Sequence, residues 1–169
     1  MRTACAWILV GGTALLLAAW SHASGADCLI VSVPDSVEAG PGALVDVPIL
    51  VTPTFDGGSV IGFLATMTFD PTRLAFVEVR DCVGGVSYPG GWKPLTSNLI
   101  GNELRVAGAS SEALAAGGCL FVVRFRVLAD VPLGVCSTID LSRVLFNAGT
   151  PCATLVDGKV CVSCRAPGP

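Results

Sequence analysis

The stretch from Val60 to Val79, VIGFLATMTFDPTRLAFVEV, constrains this chain more than any other. It reads as a strand, a tight Asp70-Pro71 turn and a second strand, together an opening hairpin. Proline fixes φ near −65° and aspartate can accept bonds from the backbone ahead of it, so the pair supplies turn chemistry. Leu74 restarts the apolar pattern and Phe76 follows on the same face, because side chains alternate along a strand. Asp70 is accordingly read as a turn residue rather than a ligand.

The same texture runs through the chain. Leu29–Val33 is rich in β-branched residues, and Ala43–Val51 follows a Gly/Pro turn, with Pro48 suggesting an edge or a bulge. Trp92–Ile100 holds one weak strand, Gly101-Asn102 a turn, and Glu103–Ala109 alternates again. Ser111–Ala116 could form one helical turn. Cys119–Leu128 has the strongest pattern, with Arg124 and Arg126 on one face and Phe121, Val123, Phe125 and Val127 on the other. Short strands are expected at Cys136–Leu141, Val144–Phe146 and Lys159–Val162, with Asp157-Gly158 as a hairpin turn. About nine short strands separated by Gly and Pro predict an all-β sandwich or barrel. No segment repeats and no linker divides the chain.

The first 26 residues stand apart. Arg2, the apolar run Ala6–Trp20 and the small residues Ser21–Ala26 have the layout of a secretory signal peptide. The run is shorter than the roughly 18 residues a spanning helix wants. Cleavage fits before Asp27, after Ser24-Gly25-Ala26, or alternatively after Ser21-His22-Ala23. The expected organisation is a signal peptide over 1–26, a sandwich over 27–164 and a flexible tail over 165–169, in a protein that is secreted or held at the cell surface.

Composition then excludes several functions. Without Arg2, 13 acids face 9 bases, a net charge of about −4. Nucleic acid wants a basic face, so it is not an expected partner. His22 is the only histidine and lies in the signal segment. From Asp27 onward the chain therefore lacks the imidazole of Ser-His-Asp and Cys-His nucleophilic sites and of the usual histidine metal sites. Asp46, Asp70, Glu78, Asp81 and Asp140 could in principle supply a glycosidase carboxylate pair, but most sit at turns or on solvent-facing strand positions. No calcium-loop pattern is present. The sequence thus predicts no enzyme, no cofactor and no resident metal.

Eight cysteines are present, and seven remain once Cys5 leaves with the signal segment. Export and this density predict disulfides, with one thiol left over. Connectivity stays open. Cys28 with Cys161 or Cys164 is attractive if the first and last strands are neighbours, and Cys136 with Cys152 would close a short loop. Cys161-Val-Ser-Cys164 has CxxC spacing, but without a second pair or a βαβ context it reads as structural.

Four marks, in order, carry a resemblance to a known family: Asp46-Val47-Pro48-Ile49-Leu50, Phe69-Asp70-Pro71 through Leu74, Gly118 through Phe125-Arg126-Val127, and Asp157-Gly158-Lys159-Val160. Together they resemble the cohesin domain, the jelly-roll module of cellulosome scaffolds, over roughly Leu29–Val162. The resemblance implies a nine-stranded jelly-roll β-sandwich without catalytic activity. It also implies that one sheet face holds a dockerin, a small calcium-loaded helical module carried by an enzyme of extracellular polysaccharide breakdown. By that resemblance the partner face takes parts of 60–68, 103–109 and 120–126, with Gly62, Leu64, Thr66, Arg105, Arg124 and Arg126 as contact residues. Gly62 and Leu64 depart from the family pattern, because they stand where the best-known dockerin binders carry a hydrogen-bonding Asn-x-Asp. Direct carbohydrate binding is the alternative, with Tyr88 and Trp92 stacking on a polysaccharide, unless the rings fold over the end of the sandwich. A structural or adhesive surface domain is the third possibility.

Overall fold

The computed structural model describes residues 28–52, 60–82, 92–114 and 117–164. The expected signal segment and tail, and Tyr88, lie outside the described residues. Among the described residues eleven strands are present where about nine were expected: β1 (Leu29–Ser32), β2 (Val37–Ala39), β3 (Leu44–Thr52), β4 (Val60–Phe69), β5 (Leu74–Arg80), β6 (Leu95–Ile100), β7 (Glu103–Leu114), β8 (Gly118–Val127), β9 (Cys136–Phe146), β10 (Ala153–Val156) and β11 (Gly158–Val162). No helix occurs among the described residues, and β7 takes up Ser111–Leu114 of the helical turn expected over Ser111–Ala116, the last two residues of which lie outside the described residues.

The strands form two sheets. One has five strands in the order β10-β1-β3-β8-β5, the other six in the order β2-β11-β9-β4-β7-β6. Their inner faces meet in a single apolar core, as alternation on each strand requires. Phe121, Val123, Phe125 and Val127 of β8 are fully buried, while β4 contributes Phe63, Ala65, Met67 and Phe69 from the other sheet. Phe63 stacks on Phe121 with ring centroids 5.2 Å apart, and Phe69 meets Phe125 edge-on at 5.0 Å. Such pairs contribute about 0.5–1.5 kcal/mol beyond their buried area.

The Asp70 corner performs a different task from the one expected. β4 pairs with β7 and β9 in the six-stranded sheet, whereas β5 pairs with β8 in the five-stranded sheet. The segment 60–79 is therefore an arch that crosses the core, not a hairpin. Its turn chemistry is as expected. The backbone N–H and hydroxyl of Thr72 donate to Asp70 Oδ1, and the N–H groups of Arg73 and Leu74 donate to the Asp70 carbonyl. Phe69 and Leu74 are both buried, each facing the core from its own sheet. Asp157 makes a second arch, because β10 and β11 also lie in opposite sheets. Its Oδ1 accepts from the N–H of Leu141 at 2.8 Å. Gly101-Asn102 does close a true hairpin between β6 and β7, with Gly101 at φ 64°.

Three disulfides tie the sandwich: Cys28–Cys152, Cys82–Cys119 and Cys136–Cys161. Neither anticipated pairing forms. β1 runs parallel to β10 rather than beside β11, which puts Cys28 next to Cys152. Cys161 and Cys136 are direct register partners on β11 and β9. Cys164 is a free, exposed thiol.

Candidate functional site

The outer face of the six-stranded sheet collects four of the anticipated contact residues. On β4 the inward residues are buried, which turns Gly62, Leu64, Thr66 and Thr68 outward. β7 turns Glu103, Arg105, Ala107 and Ala109 the same way, β6 adds Thr96, Asn98 and Ile100, and β9 adds Asp140, Arg143 and Leu145. The register arranges them in rows across the sheet. Ala107, Leu64 and Leu145 form an apolar row that ends at Thr96. Arg105 and Arg143 flank Thr66, with Asn98 beyond Arg105. Glu103 and Asp140 flank Thr68. A groove of 330 Å³ follows the β6 side of this face, lined by Leu64, Thr96, Ser97, Asn98, Arg105 and Ala107.

Two local features keep the face in place. The N–H groups of Ile61 and Gly62 both donate to Asn147 Oδ1, at 2.9 and 3.2 Å. Asn147 sits at φ 40° in the turn after β9, a conformation asparagine tolerates better than most side chains. Sequence reasoning missed this residue; its one outward signal was Asn-Ala-Gly closing an alternating strand. In β9, residue 142 is bulged out of register, so Ser142 donates from its hydroxyl to the Thr66 carbonyl at 3.1 Å. That bulge joins the two strands expected at Cys136–Leu141 and Val144–Phe146 into one.

Arg124 and Arg126 lie elsewhere. β8 belongs to the five-stranded sheet, so both point from the opposite side of the sandwich. The six anticipated contact residues do not form one surface, because alternation reveals whether a side chain points in or out but not which sheet carries it. Arg124 is also already engaged. It makes a two-pronged pair with Asp46, at 2.7 and 2.9 Å, and reaches Glu78 at 3.3 Å. Arg80 closes the network on Asp46 and Glu78. The hydrogen bond from Arg124 is the largest influence on the Asp46 carboxyl; burial opposes it, and the charges of Arg80 and Arg124 add to it, so the carboxyl lies below its ordinary range. Two acids and two bases thus neutralise each other on this face. Arg126 is exposed, and among the described residues its side chain makes only a long contact of 3.5 Å to the Gly42 carbonyl.

Trp92 is not a sugar platform. It is 3% exposed, packs edge-on against Phe63 at 4.7 Å and donates from Nε1 to the Leu120 carbonyl at 2.7 Å. Gly108 leaves the space for this pair, since a Cβ there would stand 2.5 Å from the Phe63 ring. The indole closes one end of the core, which leaves neither of its faces open to a ligand.

The candidate carboxylates are dispersed. Asp46 and Glu78 belong to the ion network, Asp81 accepts from the Trp92 N–H, and Asp70 is held below its ordinary range by the bonds from Thr72. Among the described residues no three His, Cys, Asp or Glu side chains stand close enough to hold a metal ion. Cys161 is committed to a disulfide, so the CxxC spacing forms no dithiol.

No family model and no curated protein matches the chain. Solved structures do. The sixth cohesin of scaffoldin B from Acetivibrio cellulolyticus, solved in complex with a Cel5 dockerin mutant, superposes with a TM-score of 0.68 at 20% identity, covering 81% of this chain and 100% of that one. A cohesin of OlpA from Clostridium thermocellum, solved with the dockerin Doc918, gives 0.64 at 19% identity over 80% and 99%. A non-cellulosomal cohesin from the archaeon Archaeoglobus fulgidus gives 0.59 at 18% identity over 80% and 91%. The extent of these superpositions shows that this chain has the cohesin fold.

Proposed function

We propose that this protein is an exported, non-catalytic docking module that holds a dockerin-type helical partner on the outer face of its six-stranded sheet, in the setting of extracellular polysaccharide breakdown. The observation that carries the proposal is the fold shared with cohesins solved in dockerin complexes. The face itself supports it, since on the opposite sheet Asp46, Glu78, Arg80 and Arg124 are engaged with one another. Leu64 replaces a hydrogen-bonding contact by an apolar one, so the partner meets it with an apolar side chain. Any calcium arrives with the partner. Three disulfides fit an oxidising, exported setting, with residues 1–26 as the signal peptide. Direct sugar stacking loses its main support with the burial of Trp92.

The test is calorimetric titration of the purified secreted chain with calcium-loaded dockerin modules, repeated after chelation. Binding that needs calcium, is lost in Leu64→Asp and persists in Arg126→Glu is the expected result. A folded chain that binds no dockerin at any calcium level rules the proposal out.

A further inference from the structure

The outer face of the six-stranded sheet is ordered in a way that specifies its partner. Along β4, Leu64, Thr66 and Thr68 are successive outward residues, and each lies at the centre of a row with a different character. The first row is apolar through Ala107 and Leu145. The second is cationic through Arg105 and Arg143. The third is anionic through Glu103 and Asp140. Directly opposed side chains on neighbouring strands stand about 5 Å apart. Each pair of like charges is therefore held about 10 Å apart across a central threonine.

These charges are available. The side chains of Arg143 and Asp140 make no ion pair or hydrogen bond among the described residues, and both residues are exposed. Arg105 pairs with Glu103 at 2.7 Å along β7, but that pair is itself solvent-exposed. Exposed pairs of this kind contribute under about 1 kcal/mol, so they open readily to a better-placed partner. Of the other cations, Lys159 is in register with Thr138, and Arg73, which lines one pocket with Asp140, is paired with Asp70.

The spacing of the rows matches a helix. Two strand residues advance about 6.8 Å. Four helical residues advance about 6 Å and return to nearly the same side. A helix lying along β4 thus brings residues four apart over successive rows. We infer that the partner of this face is a helix carrying an apolar residue, an acid and a base at successive four-residue intervals. The apolar residue seats on Leu64, the acid lies between Arg105 and Arg143 above Thr66, and the base lies between Glu103 and Asp140 above Thr68. A helix with the two charges exchanged meets like charge in both rows and is rejected, which is how charge order creates specificity. This inference rests on the docking proposal for its face, and adds to it the chemistry of the partner.

The probe is a designed helical hairpin whose exposed helix carries Leu, Glu and Lys at four-residue intervals, made in both chain directions. The control has Glu and Lys exchanged. Affinities are measured by calorimetry against the full secreted chain. The expected preference for the matched helix is at least about tenfold, and it is screened by salt. A second protein carries Arg105→Glu, Arg143→Glu, Glu103→Arg and Asp140→Arg, which retains an ion pair along β7 and leaves net charge unchanged. Near-ultraviolet circular dichroism confirms that it is folded. Inversion of the preference in that protein supports the inference. Equal affinity for the two helices, or no binding of either, overturns it. A natural dockerin that binds both proteins equally overturns the charge ladder and leaves docking intact. A matched-helix preference with no dockerin bound supports the ladder and overturns the dockerin proposal.

Discussion

The indole of Trp92 and the carbonyl of Leu120 are joined by a 2.7 Å hydrogen bond that links the approach to β6 in one sheet with β8 in the other. Trp92→Phe removes the donor and leaves a buried carbonyl unpaired, at a cost of about 1–3 kcal/mol. Trp92→Ala also empties the space beside Phe63 and costs about 3–5 kcal/mol. Urea denaturation of the two variants should rank them in that order. A neutral Trp92→Ala variant would show that the ring lies outside the core.

Gly158 opens β11 beside Val33 and Pro34, which follow the end of β1. A Cβ there would lie 2.1 Å from the Pro34 carbonyl oxygen and 2.7 Å from Val33 Cγ1, and backbone cannot step aside as a side-chain tip can. Gly158→Ala should cost about 3 kcal/mol or prevent folding. Gly101→Ala is the control: it has φ 64° and nothing within 4 Å, so it pays only the left-handed strain of about 1–2 kcal/mol. A loss at Gly158 no larger than at Gly101 would mean that the chain around Pro34 yields to the added methyl group.

How far the fold could be read in advance depended on whether the signal was local. β8 was legible because one face is wholly buried and the other carries Arg124 and Arg126, so its alternation is clean. The Asp70 turn was legible as chemistry but not as topology. The same Asx bonds serve a hairpin and an arch, and the choice between them depends on which sheet receives Leu74. The three-residue β2 and four-residue β10 carry too few side chains to mark a period. The site divided on the same line. Gly62, Leu64, Thr66 and Arg105 share a face, but Arg124 and Arg126 were grouped with them because a sequence records inward and outward and not left sheet from right. Disulfide partners depended on the parallel pairing of β1 with β10, a non-local fact.

The disulfides differ in the chain they close. Cys28 and Cys152 are 124 residues apart, and Cys136 and Cys161 are 25 apart. A cross-link restricts the unfolded chain more as its loop lengthens, by about 4.9 kcal/mol for the longer loop and about 3.5 kcal/mol for the shorter. Replacing Cys28 and Cys152 with serine should therefore lower stability by about 1.4 kcal/mol more than replacing Cys136 and Cys161. Comparing the two double variants in urea checks the order. The reverse ranking would place the stabilisation in local contacts around Cys136 rather than in loop closure.

Asp46 and Arg124 make the stability of the five-stranded face sensitive to acid. Arg124 holds the Asp46 carboxyl below its ordinary value, so the folded state releases that proton more readily than the unfolded chain. The pair's contribution is complete above the unfolded carboxyl value of about 3.9. It is lost as pH falls from there through the lower folded value, because the unfolded state then binds the proton first. Asp46 is 41% exposed, so solvent screening holds the whole effect under about 1 kcal/mol. A double-mutant cycle with Asp46→Asn and Arg124→Met should give a small favourable coupling at pH 7 that fades at pH 3 and in high salt. Coupling that survives at pH 3 would mean the two side chains interact through packing and not through charge.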